Sequence, residues 1–404
     1  MRRILSLAVL LLAGNPALAT PLKQPPASAS ASASPSAKAR GRRLYRPIYS
    51  SNVAMLRSML LNHDEFPASN LRSLERRWIP PDAEFAEQMR FRREMYQKRG
   101  KIVFGVAPGF EKRARAASQE LLDDLVQTLV THHPDFYRLD GTRITDLKTG
   151  FELDLADPKM HPLVKAGLLS QDDLTVSMPD GKGTYRMVAA FAATPSGWKV
   201  HDFLGLSIHE IHQHIANYQG KLKLLLERIM PNLKVGKDSF RNNWFLELNH
   251  DLAMPRGRRD PSYATGFTKD NVGQRLVLRS EIETLFRLPI QKAMIFTIRP
   301  RVWRLDDVKR DAPDIAWRIG QGLGQEGSEY TQREWAPAAR RLLADVPPPA
   351  EPTPADLRVL RKGSGQAPGS ATPETAAAKP APAPASEPAP ASSEPAPPPP
   401  AATP

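Results

Sequence analysis

No cysteine occurs anywhere in the 404 residues of this chain, so only its own packed core can hold its fold together. Disulfides are excluded, and with them thiolate nucleophiles and any cysteine-tethered or thiolate-ligated haem. A globular domain of roughly 300 residues can bury enough surface to fold without such staples. Composition says where that domain lies. Residues 1–19 open with Arg2 and Arg3, continue through an apolar run and close on Ala17, Leu18 and Ala19, the pattern of a cleaved signal peptide. The chain is therefore expected to be exported, periplasmic or secreted. Residues 20–42, with their ASASASASPSA run, and 346–404, rich in Pro, Ala, Ser and Glu, have too little apolar surface to fold. Both are expected to be disordered, the tail partly as polyproline II with one short helical stretch at 354–361. The folded domain is placed at 43–345, and no later segment is long and uncharged enough to span a membrane.

The net charge is +13, with arginine dominating the basic residues between Arg40 and Arg115. No RNA- or DNA-binding motif accompanies that charge, so it reads as a basic exported protein without a nucleic-acid partner. Apolar periodicity predicts helices at 51–61, 68–77 and 82–99, the last with Asp82 as N-cap, then a strand at 101–106. Residues 111–131 form an amphipathic helix with Ala117, Leu121, Leu125 and Leu129 on its core face. A hairpin-like region covers 136–155 and a strand 185–194. Further on come a helix bearing Tyr218, Leu222, Leu225 and Ile229, strands at 242–249 and 274–278, a helix at 280–288, a strand at 292–299, and helices at 306–319 and 331–343. Strands joined by loops or single helices indicate an α+β fold with a mainly antiparallel sheet.

Four of the nine histidines fall within the fourteen residues HDFLGLSIHEIHQH, His201 to His214. Imidazole is a versatile ligand and proton carrier near neutral pH, so this cluster is the first candidate for metal or haem chemistry. A zinc site on His209, Glu210, His212 and His214 is the weakest version, because HEIHQH lacks the His-Glu-x-x-His spacing. The plain alternative is surface imidazoles at a helix start.

The runs LLSQDDLTVSM, YRMVAAFAATPSGW, LGLSIHEIHQHIANY, FRNNWFLEL, LRSEIETLFRLP and AMIFTIRP, in this order, resemble the haem-dependent oxidative N-demethylase family. Upstream, Gln88, Arg92, Arg93 and the APGFEKRARAASQELLDDLV run extend the resemblance to about residues 45–319. It implies a PAS-like domain holding haem b. It also implies oxidation of a methylated amine with release of formaldehyde, electrons arriving from a partner protein. Within that resemblance the Ile-His signature falls on Ile211 and His212, making His212 the candidate iron ligand, with His209 and His214 as alternatives.

The resemblance also places cofactor-binding roles on Arg241, Trp244 and Arg287, and catalytic roles on Arg279 and Glu281. A guanidinium clamps a propionate with two charge-assisted hydrogen bonds, and a carboxylate attracts a cationic amine or relays protons. The ordinary alternatives are Trp244 in the core, and Arg279, Glu283 and Arg287 as a surface ladder of ion pairs on a helix. Three departures stand out. Gln213 and His214 replace the family's proline-containing bend, Glu283 replaces a glutamine, and Pro300 and Arg301 replace a threonine and a tyrosine. Three function classes remain open at this point: a haem-dependent oxidase, a non-catalytic haem-binding or sensory module, and a zinc protein.

Overall fold

The computed structural model describes residues 50, 72–73, 78–213, 223–248, 250–253, 266–324 and 333–349. In chain order its elements are β1 (Arg72–Ser73), α1 (Phe85–Val103), β2 (Phe104–Val106), α2 (Glu111–His132), β3 (Tyr137–Asp140), β4 (Arg143–Asp146), β5 (Phe151–Asp154), α3 (Pro162–Leu169), β6 (Asp173–Pro179) and β7 (Tyr185–Phe191). There follow α4 (Val200–Phe203), α5 (Ile208–His212), α6 (Lys223–Asn232), β8 (Ser239–Glu247), α7 (Lys269–Arg275), β9 (Val277–Arg287), β10 (Met294–Arg304), α8 (Leu305–Asp311), α9 (Pro313–Gly324) and α10 (Ala336–Leu343). Seven strands form one sheet in the order β1-β8-β9-β10-β6-β7-β2, every neighbour antiparallel, and β3-β4-β5 form a second. The fold is α+β, antiparallel sheets flanked by helices.

Local chemistry explains much of this. On α2 the stripe Ala117, Leu121, Leu125 and Leu129 is buried, as its one-turn spacing requires. The hairpin region is three strands, with Gly141 at φ +57° and Gly150 at φ +72° in the turns, a conformation that a β-carbon disfavours.

The segment 280–288 is not a helix. It belongs to β9, whose eleven residues are all buried; of the strand predicted at 274–278, Gln274 and Arg275 end the helix α7 and only Val277 and Leu278 open β9. The surface ladder of Arg279, Glu283 and Arg287 therefore does not exist: on a strand these residues share a buried face instead of stepping along a solvated helix. Other boundaries move as well. Residues 101–103 still belong to α1, whose cap position is Glu84, so Asp82 is not its N-cap; Asp82 instead accepts from Gln171 Nε2 at 2.7 Å and pairs with Arg301. Arg72 and Ser73 are strand where a helix is predicted, and the predicted helix at 306–319 breaks into α8 and α9 at Ala312 and Pro313. The predicted helices at 51–61 and 354–361 lie outside the described residues, as do Tyr218 and Leu222. Val346 still packs in the core, one residue beyond the expected domain end.

Side chains alternate along a strand and antiparallel partners share a face, so the register sorts the large sheet into two surfaces. One carries Leu278, Ile282 and Phe286 with Phe240, Trp244, Trp303 and Ile295, and packs on α1–α3 and α7–α10. The other carries Arg279, Glu281, Glu283 and Leu285 with Arg241, Asn243, Phe296, Thr175 and Ser177.

His161 caps α3, its Nδ1 accepting from Leu163 N at 3.2 Å. Burial, helped by Arg115, pushes this imidazole down from 6.5 to about 4. The unfolded chain thus takes up a proton on acidification that the fold refuses, and stability present above pH 6.5 is lost as pH falls toward 4. Discounted for the ring's partial exposure, the loss is about 1–2 kcal/mol. Asn caps without titrating, so in His161→Asn the difference in unfolding free energy between pH 7 and pH 4.5, read from urea titrations, is expected to shrink by up to that amount.

Candidate functional site

Helix α5 is one turn long and owes its existence to its caps. Ser207 Oγ accepts from Glu210 N at 3.0 Å, and Glu210 Oε2 accepts from Ser207 N at 2.7 Å, a reciprocal capping box. Those bonds to Ser207, with Arg186 nearby, hold the Glu210 carboxyl below its ordinary range. Arg186 in turn donates to Glu210 at 3.2 Å and to Asp180 at 2.9 Å, tying α5 to β7. Glu210 is therefore spent on positioning the helix. Among the described residues no group of three or more His, Asp or Glu side chains could hold a metal ion.

His212, at the end of this turn, is buried. Its Nδ1 lies 2.6 Å from Ile208 O. A carbonyl can only accept, so Nδ1 carries the proton and the lone pair of the neutral ring resides on Nε2. The imidazole stands in the wall of an apolar cleft between α5, α6 and the sheet. Ile208 and Ile211 of α5 and Leu226 and Met230 of α6 form one side; Met187, Leu285, Met294, Phe296, Thr175 and Ser177 of the sheet form the other. His209 is half-buried on the same turn and His201 is exposed, its Nε2 against Lys101 O, while His214 lies outside the described residues.

Beyond Leu285 the same sheet face turns polar and stays buried. Arg241 Nε pairs with Glu283 Oε2, and Arg279 Nε donates to Glu281 Oε1 at 2.9 Å. Arg279 also donates to Leu252 O at 2.9 Å and to Thr194 O at 2.8 Å. Burial raises the Glu283 carboxyl above its ordinary range despite the neighbouring Arg241.

Arg287 works differently. It donates to Met230 O, to Leu233 O at 2.7 Å, to Tyr185 Oη at 2.7 Å and to Lys292 O at 2.9 Å. It thereby straps the C-terminal carbonyls of α6 to the hairpin and holds one wall of the cleft.

A family model described as haem-dependent oxidative N-demethylase, alpha subunit-like, matches residues 70–336, about two thirds of the chain. The chain belongs to this family. Its haem dependence can be tested against the residues present. An imidazole with a fixed tautomer beside aliphatic and methionine walls is a donor set such a group takes when thiolate is absent, so the chemistry of these lining residues suits it.

Of the residues the resemblance points to, the structure thus brings His212 to the cleft, Arg241, Arg279 and Glu281 to the adjoining polar row, and Arg287 to the rim. Trp244 it does not: it packs on the opposite face with Phe240, Ile282 and Trp303. The two β10 departures also part company. Pro300 pairs with Glu281 just past the last β6 partner, where a missing N–H is tolerated, whereas Arg301 faces the other side and reaches Asp82. Sequence reasoning missed Thr175, Ser177, Met187, Tyr185 and Phe296. Their only signal was membership in the quoted runs, since nothing in their types marks a cleft.

Proposed function

We propose that this protein is an exported haem-dependent oxidase that demethylates a methylated amine, in which His212 would hold a haem b in a PAS-like domain. The observation that carries the reading is the His212 Nδ1 to Ile208 O bond inside an apolar cleft. Haem, when bound, supplies the activation of dioxygen: one oxygen atom leaves in formaldehyde and the other in water, with two electrons and two protons drawn from a donor protein. The chain's own contribution is to present Nε2, to exclude water with Leu226, Met230, Leu285 and Phe296, and to keep Arg279 and Glu281 buried beside the cleft. Export requires that the electron donor also act outside the cytosol.

The test is a haem titration followed by absorption. Wild type is expected to develop a Soret band at one haem per chain. His212→Ala is expected to bind haem at least about tenfold more weakly, with an altered spectrum. A colourless wild type refutes the reading. The second reading, a non-catalytic haem-binding or sensory module, is favoured by one observation: Glu281 and Glu283 each face an arginine already. Formaldehyde release from methylated amines with an artificial reductant decides between the two.

A further inference from the structure

Glu283 is not among the residues the family resemblance singles out for a role, yet its environment is unusual. The side chain is completely buried and only Oε2 is used, by Arg241. Oε1 is buried with no hydrogen-bond partner. Asn243 lies near enough to favour the carboxylate form, but its Nδ2 completes no bond either. A buried carboxylate oxygen left unpaired is costly, and such groups in native folds ordinarily await a ligand or a water.

Its position says which ligand. Glu283 follows Leu285 on the same sheet face, about 7 Å further along the strand, and Leu285 lines the cleft. Its partner across β10 is Ile298, which packs in one cluster with Ile211, the residue before His212. The polar row thus begins where the apolar walls end.

Resting on the oxidase reading above, we propose that Glu283 is a specificity-determining residue that anchors the substrate as an ammonium ion by accepting an N–H at Oε1. An acceptor needs a hydrogen, so the site selects protonated secondary and tertiary amines and rejects quaternary ammonium ions of similar size and equal charge. The apolar walls receive the methyl groups, and Arg241 keeps the carboxylate in place.

Calorimetric titration of the full chain with trimethylammonium and tetramethylammonium chloride tests this. Trimethylammonium is expected to bind at least about tenfold more tightly, the range of one hydrogen bond to a charged group. In Glu283→Gln that preference is expected to vanish, and in Glu283→Asp, which keeps the charge on a shorter arm, to shrink. The Asp variant keeps the test alive should the Gln variant fail to fold. Equal binding of the two cations, no binding of either, or a preference untouched in both variants overturns the proposal and leaves Oε1 to a buried water. Haem absorption measured on the same samples separates the two readings: a colourless protein that still prefers trimethylammonium refutes the oxidase but not the anchor. A haem-loaded protein without the preference refutes the anchor alone.

Discussion

Arg241→Leu is expected to destabilise the domain by about 3–5 kcal/mol, because it takes the counter-charge from Glu283, whose buried carboxyl must then stay uncompensated or take up a proton between β8 and β9. Both side chains are at most 1% exposed, so water cannot take the place of the lost partner. Removing both charges is a different matter. Well-packed apolar replacements for a buried ion pair are often neutral or better, so Arg241→Leu with Glu283→Leu is expected to recover most of the loss. Urea midpoints of the two single variants and the double variant close a thermodynamic cycle. A double variant as weak as Arg241→Leu alone would mean that the pair is needed for folding. A recovered double variant would mean that the charges are kept at a stability cost for what they do beside the cleft.

That contrast bears on what was legible in the sequence. The α2 stripe was readable because its apolar residues face one way and its polar ones face water, the condition under which periodicity reports structure, and the 136–155 hairpins were readable from the Gly and Asp residues of their turns. In β9 the condition fails. Its charged residues Arg279, Glu281 and Glu283 are as buried as Leu278 and Ile282, so the alternation reads as a polar pattern and the four-residue spacing of charges imitates a helix. The sheet register removes the ambiguity, since eleven consecutive pairings to β10 fix β9 as a central strand.

The site was half legible for a related reason. An imidazole next to isoleucine in an ordered motif is visible in one dimension, and His212 is indeed set in a cleft wall. What Arg287 and Trp244 do depends on which face each strand presents. Arg287 ends up tying the end of α6 to Tyr185 and Lys292, and Trp244 ends up among α7–α10, outcomes set by a register that no local spacing encodes. Glu283 was visible only as a departure from the family pattern and as a rung of a surface ladder that the strand does not form.

Arg92→Met is expected to be at least as damaging as Arg241→Leu, about 3–5 kcal/mol, and its effect should reach the polar row. Arg92 is fully buried in α1. It donates to Asp173 Oδ1 at 2.8 Å, to Asp172 O at 2.5 Å and to Thr194 Oγ1 at 3.3 Å. Asp173 in turn accepts from Ala193 N at 2.9 Å and from Thr194 N at 3.2 Å, and Thr194 O accepts from Arg279, the partner of Glu281. One guanidinium therefore pins the loop that holds Arg279. Burial is the main influence on the Asp173 carboxyl and raises it, with Arg92 the principal opposing one. Without Arg92 that rise should grow, and the fold would bind a proton that the unfolded chain releases above 3.8. Stability of the variant should therefore fall as pH rises above that value, so Arg92→Met should lie closer to wild type at pH 5 than at pH 8 in urea unfolding. A deficit that is the same at both pH values would mean that Asp173 finds another cation or water, and that Thr194 is held in place without the α1 contact.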